Sequence, residues 1–129
     1  WRPCPPAWRP CRLRALRARS TDIVVSSAVL AEGLLTGHPG RDHHVGRFLA
    51  TAEIAAVDEP LGLAAGRLRT RALADGVTPA PSGVDALVVA EADRRGATGD
   101  VVIVTSDVGD LSALARFGRH ADRITILPV

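Results

Sequence analysis

Apolar residues along the chain follow two spacings that alternate. Four short runs are rich in β-branched residues and are bounded by turn-forming residues, which is typical of strands. Between these runs, apolar residues recur every three or four positions, which is typical of helices. The alternation predicts an α/β sandwich with a mostly parallel sheet. The predicted strands lie within TDIVVSS (21–27), EIAAVD (53–58), VVIVT (101–105) and RITILPV (123–129).

Two of the predicted helices are marked clearly by their composition. Pro60 stands where a first helical residue is favoured and Gly76 where a helix stops, so residues 60–75 are predicted to be helical. Residues 84–96, VDALVVAEADRRG, are apolar almost all round, which predicts a buried helix. Shorter helices are predicted from Leu13, in AVLAEGLL (28–35), in HHVGRFLATA (43–52) after a capping Asp42, and in DLSALARFG (110–118).

The first eleven residues, WRPCPPAWRPC, show neither spacing and contain four Pro and both Trp. We predict an irregular arm over 1–11 and one globular domain over 12–129. The only cysteines, Cys4 and Cys11, lie in this arm, where two free thiols are favoured over a structural disulfide. The chain has neither an apolar run of membrane-spanning length nor the apolar stretch of a signal peptide, so we expect a cytoplasmic protein without a membrane partner.

The charges are distributed unevenly along the chain. All sixteen basic residues are Arg, and six of them precede residue 21, where there is no acid. The remainder holds ten Arg against fourteen acidic residues, which argues against phosphate binding by a broad basic surface. Without Lys there is no P-loop, and no GxGxxG motif follows a strand. Arg12 and Arg14 are candidates for RNA binding, with a solvated helix face as the alternative.

Acidic residues collect where the predicted strands end. Asp107 and Asp110 follow VVIVT, Asp85 lies in the first turn of the buried helix, and Glu32 lies in the helix after the first strand. Functional crevices of parallel sheets lie beyond the carboxyl ends of the strands. Helix capping is the alternative role for Asp85 and Asp107, and contact with water is the alternative for Glu32.

Convergence of these acids would be costly, because neighbouring carboxylates repel one another. A divalent cation removes that cost. Oxygen ligands select hard ions, so Mg²⁺ or Mn²⁺ is expected. Such an ion can bind a phosphate and activate a water, which indicates phosphodiester hydrolysis.

Three segments, VVSSAVLAEGLL, PSGVDALVVAEADRRG and VVIVTSDVGDLSALA, resemble in order and spacing the PIN domains, specifically the VapC toxin ribonucleases of type II toxin–antitoxin modules. The resemblance covers residues 12–129. It implies a three-layer α/β/α sandwich around a mostly parallel central sheet, a Mg²⁺- or Mn²⁺-dependent endoribonuclease, a homodimer and inhibition by an antitoxin. It also implies that Glu32, Asp85 and Asp107 are catalytic metal ligands, with Asp110 as an auxiliary ligand.

One feature of the family is absent from the sequence. PIN domains open with an apolar strand that ends in Asp and lies centrally in the sheet. Here no acid precedes Asp22, and residues 1–11 are too rich in Pro for a central strand. We hypothesise that this strand is missing, through truncation, a wrong start site or a frame error upstream of about residue 12. The alternative function is then a catalytically impaired binding module that pairs with an antitoxin or with itself.

Overall fold

A computed structural model describes residues 21–129. The predicted arm over 1–11 and the candidate RNA-binding residues Arg12 and Arg14 lie outside the described residues. Helices and short parallel strands alternate along the described chain, so the expectation of a mixed α/β protein is confirmed. The elements are β1 (Val24–Ser26), α1 (Ser27–Leu30), α2 (Pro39–Leu49), β2 (Glu53–Ala55), α3 (Glu59–Ala74), α4 (Gly83–Gly96), β3 (Val101–Thr105), α5 (Val108–Ala115), a 3-10 turn (Ala121–Arg123) and β4 (Ile124–Pro128).

The strands form two separate pairs. β1 pairs in parallel with β2, and β3 pairs in parallel with β4 in a register that places Ile103 opposite Ile126. No hydrogen-bonded ladder joins the two pairs within residues 21–129. The expected single central sheet is therefore not present in this part of the chain, because β1 and β3 each have a strand neighbour on one side only.

The hydrophobic core lies around α4. This helix packs against α3 and α5, and it also contacts β1, β3 and β4. Ala86, Ala90 and Ala92 are buried along α4, so the neighbouring backbones can approach closely. Leu114 of α5 and Val89 of α4 are fully enclosed. Burial of side chains of this size contributes about 1.5–3 kcal/mol each.

The ends of α3 follow the residues that predicted them. Asp58 caps the helix, since its Oδ1 accepts a hydrogen bond from the backbone N–H of Leu61 at 2.8 Å. Pro60 lies in the first turn, where its missing N–H costs nothing. Beyond the helix, Gly76 has φ +81°, a backbone conformation that favours glycine. The prediction for residues 60–75 is confirmed within one residue at each end.

Two local predictions are wrong. The helix expected over 28–35 ends at Leu30, and Gly33 follows with φ +81°, which a continuing helix cannot accommodate. The cap of α2 is His38 rather than Asp42, and the helix begins at Pro39. Asp42 instead accepts hydrogen bonds from the backbone N–H groups of Thr36 at 3.0 Å and Gly37 at 2.8 Å. These bonds, that from Thr36 above all, hold the pKa of Asp42 below its usual range.

A helix that crosses a bilayer is about 20 residues long and predominantly apolar. None of the helices in residues 21–129 is both long and apolar enough to cross a bilayer.

Candidate metal centre

Asp107 and Asp110 are positioned by the turn that joins β3 to α5. β3 ends at Thr105, whose Oγ1 accepts a hydrogen bond from the backbone N–H of Asp107 at 2.9 Å. Asp107 is the N-cap of α5, and its Oδ1 accepts from the backbone N–H of Asp110 at 3.3 Å. The predicted capping role of Asp107 is therefore present. The same turn directs both acids to the carboxyl end of β3.

Asp85 is held in the first turn of α4 by Ser82. The backbone N–H of Asp85 donates to Ser82 Oγ at 3.0 Å, and the Ser82 hydroxyl donates to Asp85 Oδ2 at 2.6 Å. Ser82 is thus the N-cap of α4, and Asp85 bonds back to the capping side chain. The Ser82 hydroxyl restrains the carboxylate, so its orientation is set by the start of the helix.

Asp85 comes together with Asp107 and Asp110 although more than twenty residues of chain separate it from them. One carboxylate oxygen from each lies within 4.8 Å of the others, with Asp85 and Asp110 half-buried and Asp107 exposed. α4 and α5 pack against each other, and all three acids lie at or within the first turn of their helix. The positive ends of two helix dipoles favour negative charge there. We name these three residues the Asp trio.

The Asp trio fits a small divalent cation. Two oxygens bound to the same Mg²⁺ are at most about 4.2 Å apart, because each lies roughly 2.0–2.1 Å from the ion. The observed limit of 4.8 Å is close to that value, so small side-chain rotations would bring the oxygens to ligand distance. The donor set contains only oxygen, which suits Mg²⁺ or Mn²⁺. Three acids leave room for water in an octahedral shell.

Glu32, the other acid predicted for the site, is not part of the Asp trio. It lies in the turn after α1, where its backbone N–H donates to the carbonyl of Val29 at 3.2 Å, and its side chain is exposed. The sequence places it within a helix, and the early end of that helix is the reason for the difference. α1 nevertheless contacts α4, whose first turn carries Asp85.

A buried acid that the sequence analysis missed lies further along α4. Glu91 is 5% exposed and forms ion pairs with Arg94 and, at 2.6 Å, with Arg95 Nε. Arg95 also pairs with Glu53 of β2, and Arg94 pairs at 3.1 Å with Asp58, the cap of α3. The bond to Glu53, followed by that to Glu91, raises the pKa of Arg95. In the sequence, Arg94 and Arg95 stand three and four residues after Glu91, which is the spacing that allows ion pairs within a helix. This spacing could have identified the cluster.

Comparison with protein family models, with characterised proteins and with solved structures finds no match to this chain. The functional assignment therefore rests on the residues and on their geometry.

Proposed function

We propose that this protein is a metal-dependent endoribonuclease of the PIN type and the toxin of a toxin–antitoxin module. The observation that carries the proposal is the convergence of Asp85, Asp107 and Asp110 beyond the carboxyl end of β3. These three carboxylates would hold Mg²⁺ or Mn²⁺. When bound, such an ion polarises a phosphodiester and lowers the pKa of a bound water.

The protein's own residues supply position and charge to this site. Ser82 restrains the Asp85 carboxylate, and the turn after β3 orients Asp107 and Asp110. Glu32 is proposed as a further acid that acts from the turn after α1, although it lies outside the Asp trio. A three-layer sandwich, an RNA substrate, a cognate antitoxin and a homodimer belong to the same proposal and rest on the sequence resemblance.

A second candidate function is a PIN-like binding module without catalytic activity. The observation that favours it is the exposed position of Glu32, which leaves three acids at the site instead of four. In this case the protein pairs with an antitoxin or with a second copy of itself, and the Asp trio has only a structural role at the starts of α4 and α5.

Thermal melting during a Mn²⁺ titration separates the two candidates. When the concentration of free ion is one hundred times the dissociation constant, binding to the folded state stabilises the protein by about 2.7 kcal/mol. We expect an increase in Tm for the parent protein and none for Asp107→Asn, since Asn retains the cap but loses the charge. Asp100→Asn, at an exposed residue just before β3, is the matched control and should behave like the parent. No increase in the parent would favour the binding module.

Cleavage of a fluorescent RNA in the presence of Mn²⁺ tests the catalytic part of the proposal. Asp85→Asn should largely preserve stability without metal, because Ser82 remains the N-cap of α4 and the Asn side-chain oxygen can still accept the hydrogen bond from the Ser82 hydroxyl. Cleavage should be lost in the same variant. Cleavage by Asp85→Asn at the parental rate would show that Asp85 has only a structural role.

A further inference from the structure

Arg69 is anchored next to the start of α4. Its side chain extends from α3, and its Nε donates a hydrogen bond to the carbonyl of Pro81 at 2.8 Å. The side chain of Pro81 is fully buried, so this carbonyl is held in place by the core. The bond therefore sets the position of the guanidinium, although the Arg69 side chain is exposed.

A short path joins this anchor to the Asp trio. Pro81 directly precedes Ser82, whose hydroxyl donates to Asp85 Oδ2 at 2.6 Å. With standard backbone dimensions, the two hydrogen bonds and the chain between them keep Arg69 Nε within about 11 Å of Asp85 Oδ2. Arg69 is therefore a neighbour of the candidate metal centre, and it forms no hydrogen bond to the three carboxylates.

The two terminal nitrogens of the Arg69 guanidinium have no hydrogen-bond or ion-pair partner within residues 21–129. By contrast, Arg94, Arg95 and Arg116 are each ion-paired with an acid. A guanidinium whose Nε is occupied still presents the N–H groups of both terminal nitrogens as a planar fork, which matches two oxygens of a phosphate. Arg69 can therefore bind an anion without losing its contact with Pro81.

The charge of the Asp trio makes a nearby cation important for an RNA substrate. Three carboxylates outweigh one divalent ion by a single negative charge, so the loaded site still repels a phosphate backbone. An RNA strand carries negative charge on both sides of the bond that is cut. A cation beside the metal centre offsets the repulsion at a flanking phosphate.

We infer that Arg69 binds a phosphate of the RNA strand that flanks the phosphodiester held at the Asp trio. This inference rests on the proposed function and adds a substrate contact outside the metal ligands. The two terminal nitrogens of Arg69 donate to the phosphate oxygens, and Nε remains bonded to the carbonyl of Pro81. The contact recognises the backbone and not a base, so it supports binding of any RNA sequence equally.

Binding of a short, fluorescein-labelled single-stranded RNA to the full-length protein tests the inference. Fluorescence anisotropy is measured with Ca²⁺ in place of Mn²⁺, and a gel confirms that the RNA stays intact. Arg69→Gln should raise the Kd about fivefold. The plot of log K against log salt concentration should also become shallower by about 0.7, because one phosphate contact to a single strand is lost.

Arg67→Gln is the matched control, because it removes the same charge from the same helix. Residues two positions apart on a helix point about 200° apart, so Arg67 lies on the opposite side of α3 from Arg69. There it lines a surface groove with Gly62 and Gly66. The control should change the Kd by less than about twofold and leave the salt dependence unaltered. Equal effects of the two variants would overturn the inference, since they would reflect net charge alone.

Thermal melting with Mn²⁺ distinguishes failure of this inference from failure of the proposed function. Arg69→Gln should keep the parental increase in Tm, because Arg69 forms no bond to the trio. Loss of that increase would show that Arg69 supports the metal centre instead of binding RNA, and would overturn the inference. A parent protein that binds neither Mn²⁺ nor RNA would overturn the proposed function as well. A parent that binds both, with a Kd for RNA unaffected by Arg69→Gln, would overturn the inference alone.

Discussion

The described chain divides into two regions that are packed very differently. Residues 59–129 contain α3, α4, α5 and the β3–β4 pair, and they supply the whole hydrophobic cluster from Leu61 to Ala115. In residues 21–58 only Ser26 and Ala55 are buried, and α2 makes no extensive contact with another described element. The first region has its own core. Residues 21–58 are attached to this core through β1 and α1, which contact α4, and through the ion pairs around Glu91.

This difference has a consequence for the candidate site. All three members of the Asp trio belong to the packed region, where capped helices hold them. Glu32 belongs to the sparsely packed region, which explains why it lies outside the Asp trio. Segments with few buried contacts open locally at low free-energy cost. We therefore expect the metal ligands of the trio to be preorganised, and Glu32 to move with residues 21–58.

The largest expected effect comes from the core of the packed region. Leu114→Ala removes a fully buried side chain and should lower the free energy of unfolding by about 2–5 kcal/mol. Leu35→Ala, at a position that is 59% exposed in the other region, should change it by less than about 0.5 kcal/mol. Urea unfolding measures both. Similar losses of unfolding free energy at the two positions would contradict the difference in packing between the two regions.

The second effect concerns the link between the regions. Glu91→Gln removes a buried charge from between Arg94 and Arg95 and should cost about 1–3 kcal/mol, toward the lower end because both Arg are partly exposed. Hydrogen exchange at Glu53–Ala55 should accelerate more than exchange within α5. Glu59→Gln is the control at an exposed acid of α3. Unchanged exchange in β2 would show that the ion pairs do not hold the regions together.

A smaller effect is expected at the start of α4. Ser82→Ala removes the side chain that caps the helix and should cost about 1 kcal/mol in urea unfolding. It should also weaken Mn²⁺ binding, because the Asp85 carboxylate loses its restraint. Ser112→Ala, on the exposed side of α5, should leave stability unchanged or slightly increased. An unaltered Mn²⁺ affinity in Ser82→Ala would separate helix capping from metal binding.

The smallest effect is a pH dependence at Asp58, where the two regions join. The N–H of Leu61, and then the side chain of Arg94, hold the pKa of Asp58 below its ordinary value of 3.8. The unfolded state therefore binds this proton more readily. The resulting stability is present above the ordinary value and is lost as the pH falls through the folded pKa. Urea unfolding at decreasing pH should show a smaller loss for Asp58→Asn than for the parent, and identical losses would contradict this assignment.

Much of the local structure could be predicted from the sequence. The limits of α3, α4 and β3 follow from Pro60, Gly76, Ser82 and a run of β-branched residues, all of which act within a few positions along the chain. The carboxylates at the start of α4 and α5 could be identified for the same reason. The helix after β1 could not, because its apolar spacing favours continuation and the turn at Gly33 ends it.

The sequence alone was enough to predict the limits of α3 and α4 and the acids that stand at the starts of α4 and α5, since capping and backbone preferences are local interactions. Which of those acids lie together could be seen only in the tertiary structure. The packing of α4 on α5 brings Asp85 close to Asp107 and Asp110, and Glu32 is not part of this cluster. The tertiary structure also decided that the strands form two pairs. Strand pairing joins residues far apart in the chain, so it depends on which neighbour is present beside each edge.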